Sequence, residues 1–141
     1  MIKGFVITFF SMFFIGALQM CSKDDIKPLG TEEGVYGNWN WISSSGGFAG
    51  IEKSPESEGY EQGLTISESG VFSIFRADTL AFQHNFSIVE EESIIHNKSR
   101  LMLTFEGDDM IDQSFVIKGN DTLILVEECW DCFIHKYVRE K

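Results

Sequence analysis

Turn chemistry cuts the chain into pieces too short for helices. Ser44-Ser45-Gly46-Gly47, Ser67-Glu68-Ser69-Gly70, Ala77-Asp78 and Gly119-Asn120 are such breaks, and from residue 44 onward they recur about every 8–12 residues. No stretch of useful length carries a helical period. The runs 37–43, 64–67, 71–76, 80–89, 93–96, 101–106, 114–118, 122–127 and 133–139 therefore read as strands. The run 80–89 is the clearest. Leu80, Phe82, His84, Phe86 and Ile88 share one parity, and Gln83, Asn85 and Ser87 share the other. Period two sends the first set toward a core and the second toward water. Glu90-Glu91-Glu92 then reads as a solvated turn, and residues 46–60 as a long loop able to act as a lid.

Consecutive strands with mostly short turns predict an all-β, antiparallel up-and-down sheet. A sheet this long gains by closing, because closure removes the exposed edges that invite aggregation. A barrel of about eight strands is expected, with an interior either filled by side chains or holding one small ligand. Trp41, Phe72, Phe82, Phe86, Phe105, Phe115 and Tyr137 fall on inward positions of different strands, with His84 and His135 as polar companions. Two readings are open. These residues fill the barrel, or they line a mostly apolar cup in which a His orients the ligand.

The first residues belong to something else. Lys3 precedes an apolar run of 13 residues, Phe5 to Ala17, and Ser22-Lys23-Asp24-Asp25 is abruptly polar. A charged start, a short apolar run and a polar boundary describe a secretory signal peptide, too short to be a spanning helix. Leu18 stands three before Cys21, and the segment resembles a bacterial lipoprotein signal, in which the Cys becomes the lipidated mature N-terminus. Met20 departs from the small residue usual before that Cys, which bears on cleavage rather than on export. Ser22-Lys23-Asp24-Asp25 resembles the signal that takes Bacteroidetes lipoproteins to the cell surface. The chain of 141 residues divides accordingly into a signal peptide (1–20), a flexible tether carrying lipidated Cys21 (21–36) and a barrel (37–141). Five of 13 Phe leave with the signal, and Lys3 is its only charge, so the formal charge moves from −11 to −12. An acid excess of 22 Asp+Glu over 11 Lys+Arg excludes a basic nucleic-acid surface.

Gly37-Asn38-Trp39 opens the first strand and Tyr137-Val138-Arg139 closes the last. The pair resembles the lipocalin pattern. The resemblance implies that Trp39 plugs one end of the barrel and that Arg139 packs across it, joining first strand to last. Gly37-Asn38-Trp39-Asn40-Trp41, Ser43-Ser44-Ser45-Gly46-Gly47, Pro55-Glu56-Ser57-Glu58-Gly59-Tyr60 and the ending Phe133 to Arg139 are similar to the lipocalin-like domains of small Bacteroidetes lipoproteins. That likeness covers residues 35–141 and implies a fold and an envelope location, without a ligand. Asp78-Thr79-Leu80 and Asp121-Thr122-Leu123 resemble O-glycosylation sites of the same exported proteins, at Thr79 and Thr122.

Cys129-Trp130-Asp131-Cys132 lies between two strands, with no helix to lower a thiol pKa, which disfavours dithiol redox chemistry. A disulfide stapling the turn, two free thiols, and a metal site with His135 remain open, the last short of a fourth ligand. No nucleophile-elbow, zincin, Walker-type or dinucleotide fingerprint is present. The sequence thus predicts a non-enzymatic, monomeric envelope protein anchored in the outer membrane by its lipid. It needs no cofactor, binds no nucleic acid and takes a small hydrophobic ligand. The alternative is a packed barrel that works as an interaction module, using Phe48, Ile51, Tyr60 and Trp130 on its loops.

Overall fold

A computed structural model describes residues 32–141. The signal peptide, Cys21 and the tether as far as residue 31 lie outside the described residues. A helical turn α1 (Glu32–Val35) leads into β1 (Gly37–Gly46), β2 (Ile51–Lys53), a second turn α2 (Pro55–Glu58), β3 (Gln62–Ile66) and β4 (Val71–Arg76). Then follow β5 (Thr79–Ser93), β6 (Lys98–Phe105), β7 (Gln113–Lys118), β8 (Thr122–Glu127) and β9 (Phe133–Arg139). Every pairing is antiparallel, and β1 also pairs with β9. Eight strands, β1 and β3 to β9, close a barrel. The short β2 extends the β3 side beside the second half of β1.

Inward side chains make one core. Trp39, Leu64, Ile66, Phe72, Leu103, Phe115, Leu123, Leu125 and Tyr137 are all buried in it. The turns are built from residues that accept positive φ. Ala77 and Asp78 both adopt it between β4 and β5, as do Gly119 and Asn120 between β7 and β8, the sense that matches hairpin twist.

One end is sealed where first strand meets last. The Arg139 guanidinium lies 4.0 Å from the centroid of the Trp39 ring. It donates to the carbonyls of Gly34 (2.6 Å), Tyr36 (3.0 Å) and Asn120 (3.0 Å). Trp39 Nε1 donates to the Val35 carbonyl at 2.9 Å. Residues 32–36, expected as the end of the tether, are therefore folded, and Val35 is fully buried. The carbonyls at the end of α1 need donors, and Trp39 and Arg139 supply them. Arg139→Lys keeps the charge but loses the planar fork. It is expected to cost about 1–2 kcal/mol, read as a lower urea midpoint at unchanged slope.

Several local expectations are corrected. Ser44-Ser45-Gly46 continue β1 rather than breaking it, because β2 and β9 pair with them. The loop 46–60 contains β2 and the capped turn α2, where Ser54 and Ser57 exchange side-chain bonds and Gly59 closes the turn at φ 77°. Glu90-Glu91-Glu92 are strand, paired with Leu101, Arg100 and Ser99. No separate strand stands at 93–96: Ser93 ends β5, and residues 94–97 form the β5–β6 hairpin turn. Leu80 is exposed, because the register shifts between Ile74 and Phe75 and places Leu80 opposite Phe75 on the outer face. The seam between β6 and β7 is thin. Only Met102 with Ser114 and Leu103 with Gln113 are paired there.

Candidate functional site

A cavity of about 210 Å³ lies inside the barrel. Trp41, Phe72, Ile74, Phe82, Phe133 and Tyr137 give it an apolar wall, and Tyr60 joins them from the connection after α2. An equally large polar set completes it: Ser44, Lys53, Gln62, Arg76, Gln113, Glu127 and His135. Of the residues expected to line a cup, Trp41, Phe72, Phe82, His135 and Tyr137 do so. Phe86, Phe105 and Phe115 pack in the core instead. His84 is half-buried with its ring 5.5 Å from that of Phe82, and it does not line the cavity. The cup is thus more polar than the sequence reading has it.

The polar side chains form two chains of bonds. In the first, Trp41 Nε1 donates to Ser44 Oγ at 2.8 Å. Ser44 Oγ lies 2.7 Å from His135 Nδ1, and His135 Nε2 lies 3.0 Å from Glu127 Oε1. Indole can only donate and carboxylate can only accept. For a neutral imidazole the chain therefore has one sense, from Trp41 to Ser44 to His135 to Glu127. In the second, Arg76 Nε donates to Gln62 Oε1 at 3.0 Å, and Gln62 Nε2 donates to the Tyr137 hydroxyl at 3.4 Å. Burial pushes the Tyr137 phenol up, against the opposing hydrogen bond from Gln62, so the hydroxyl keeps its proton.

A bulge explains how Ser44 reaches this site. Trp39 and Trp41 face inward, which would bring Ser43 inward next. The register against β9 shifts between Trp41 and Ser43, and the inward position passes to Ser44. Gln62 and Gln113 sit at the first residues of β3 and β7, just outside the runs read as strands. Glu127 shares the parity of Leu123 and Leu125, so its inward direction was readable.

Ser44, His135 and Glu127 have the connectivity of a nucleophile, base and acid. Their setting differs from that of an acyl-transfer site. Trp41 occupies the Ser44 oxygen, and Ser44 lies within a strand paired on both edges, with Lys53 and with His135. A ladder residue does not present the converging free N–H groups of an oxyanion hole. The chain fixes a hydroxyl and an imidazole in place.

Glu127 carries the electrostatic weight of this chain. Burial favours its neutral form. The hydrogen bonds from His135 and from Phe133 N, with the charge of His135, outweigh burial and hold the carboxyl below its ordinary value. A lowered folded pKa contributes stability that is fully present above the unfolded value near ~4.3 and is lost as pH falls through the folded value. Thermal melts from about pH 6 down to about pH 2.5 are expected to lose stability less steeply in Glu127→Gln than in the parent. Equal slopes would remove Glu127 from the account.

Cys129 and Cys132 form a disulfide with Cα atoms 5.5 Å apart, and the Glu127 carboxylate lies close to both sulfurs. Closed in this way, the sulfurs are not thiolates and do not serve as zinc ligands. The same loop carries Trp130, which is 74 % exposed, and Phe48 on the β1–β2 turn is 96 % exposed. The two turns touch, since Gly47 N donates to the Cys132 carbonyl. Ile51 is exposed as well, but Tyr60, expected on this surface, turns inward to stack on Trp41 at 6.3 Å.

No family model, curated protein or solved structure matches the chain. A functional reading therefore rests on the barrel and its cup.

Proposed function

We propose that this is a lipid-anchored, lipocalin-like envelope protein, held in the outer membrane through Cys21, whose barrel binds one small molecule without turning it over. The cup carries this reading. It is a cavity of about 210 Å³ that combines aromatic walls with oriented polar groups, inside a barrel whose other end is sealed. Ordinary ligand pockets run from ~300 to ~1,000 Å³. The cup is smaller and open at its mouth, so the part of the ligand that it takes in is a single ring or its equivalent. The barrel acts as a monomer, without a cofactor and without nucleic acid.

Native mass spectrometry of the protein purified from its own envelope tests the reading. A co-purifying small molecule, released on denaturation, is the expected result. A ligand-free protein whose melting temperature no small molecule raises would overturn it. The anchor is tested separately, by incorporation of labelled fatty acid and its loss in Cys21→Ala.

The neighbouring exposure of Phe48 and Trp130 favours a second reading, an interaction module that works through its outer rim. A partner that is lost in Phe48→Ser/Trp130→Ser, yet kept when the cup is altered, would support it.

A further inference from the structure

We infer that the cup selects a flat organic anion: a carboxylate on a single ring whose far end bears a hydrogen-bond donor. The inference rests on the proposal that the cup is the ligand site, and it names the class of ligand.

Gln113 supplies the first observation. The residue is 4 % exposed and lines the cavity, and among the described residues its buried Oε1 has no hydrogen-bond partner. A buried acceptor left without a donor is unfavourable, and a ligand N–H or O–H toward which the amide turns relieves it. The second observation is charge. The chain has a formal charge of −11, yet two cations line the cup, Arg76 and Lys53. Each rests over a ring, Arg76 at 5.3 Å from the Tyr60 centroid and Lys53 at 5.5 Å from that of Phe133. Among the described residues one carboxylate lines the cup, Glu127, and it already accepts from His135 and from Phe133 N. Arg76 is aimed by its bond to Gln62, which is anchored in turn on buried Tyr137. Arg76 is solvent-exposed and its bond to Gln62 uses Nε alone, so the terminal nitrogens can take a carboxylate, the partner that a guanidinium binds best.

Topology separates the two features. Around the closed barrel β7, with Gln113, stands four strands from β3 and three from β4, with Arg76. Donor and anion are therefore met from different sides of the cup and stand apart on the ligand. Phe72 on β4 and Phe82 on β5 add aromatic wall to the cup, and the volume admits one substituted ring.

Calorimetric titration of the purified full chain with 4-hydroxybenzoate, benzoate, 4-hydroxybenzyl alcohol and p-cresol tests this. The expected result is that 4-hydroxybenzoate binds about tenfold or more tightly than each of the other three. Arg76→Met should remove the advantage of the carboxylate and leave the neutral rings unchanged. Gln113→Leu should remove the advantage of the hydroxyl alone. If p-cresol or the alcohol binds as tightly as the acid, the anion inference fails while the cup remains a binding site. If no ring binds but a different molecule co-purifies, the inference fails in the same way. If nothing binds at all, the inference and the binding reading fall together.

Discussion

Trp39→Ala is expected to cost about 3–5 kcal/mol, the range for truncating a large buried aromatic side chain. The indole is 1 % exposed, and its Nε1 bonds the Val35 carbonyl. Its face carries the Arg139 guanidinium. Removing it opens a void at the sealed end, orphans a carbonyl of α1 and leaves Arg139 without its platform. Small domains have only ~5–15 kcal/mol in all, so the variant should melt some 15–25 °C lower or fail to accumulate. Trp130→Ala is the internal control. That indole is mostly in water, and its loss should change stability by less than about 0.5 kcal/mol. A chemical denaturation series on the two variants decides the matter. Similar costs would mean that the Trp39–Arg139 contact does not hold the barrel closed.

Gly46→Ala should be the next most damaging single change, at about 3 kcal/mol. Gly46 has φ +153°, and a Cβ there would collide with the carbonyl oxygen of Cys132 and lie 2.8 Å from Phe133 Cα. Both are backbone atoms, so no side-chain rotation gives relief. Nor can that segment retreat freely. Cys132 is tied to Cys129, and Phe133 N is tied to Glu127. The expected outcome is a barrel unzipped between the upper halves of β1 and β9, with a melting temperature lower by about 10–15 °C. Gly50→Ala tests the specificity of the argument. It also has positive φ but open space around it, so it should show backbone strain alone, about 1 kcal/mol. Equal losses at the two glycines would refute the close-approach explanation.

The architecture was legible because it is written locally. Turn residues, the alternation in 80–89 and the aromatic positions need no knowledge of partners. What escaped depends on pairing. The glutamates at 90–92 look like a turn until Leu101, Arg100 and Ser99 are seen opposite them. Leu80 and Ser44 each sit beyond a register shift, and one extra residue reverses the face of every position after it. Gln62 and Gln113 are polar residues at strand starts, where polarity reads as the end of a strand rather than as the wall of a cup. Glu127 was the available clue, an acidic residue on the parity of two buried leucines. Its partner His135 and the Ser44 bonded to that His arrive from strands 8 and 83 residues away along the chain, and no local window joins all three.

The thin β6–β7 seam has a consequence for how the cup fills. A wall joined by two residue pairs can part at low cost while the rest of the sheet keeps its ladders, so breathing concentrates there. Gln113 sits on that seam, opposite Leu103, and among the described residues its buried oxygen has no partner. A guest that satisfies this oxygen would also hold the two strands together. Occupancy and rigidity then become one quantity, and amide exchange along β6 and β7 would slow as the site saturates. The weakest joint of the barrel would serve as its gauge of whether anything is inside.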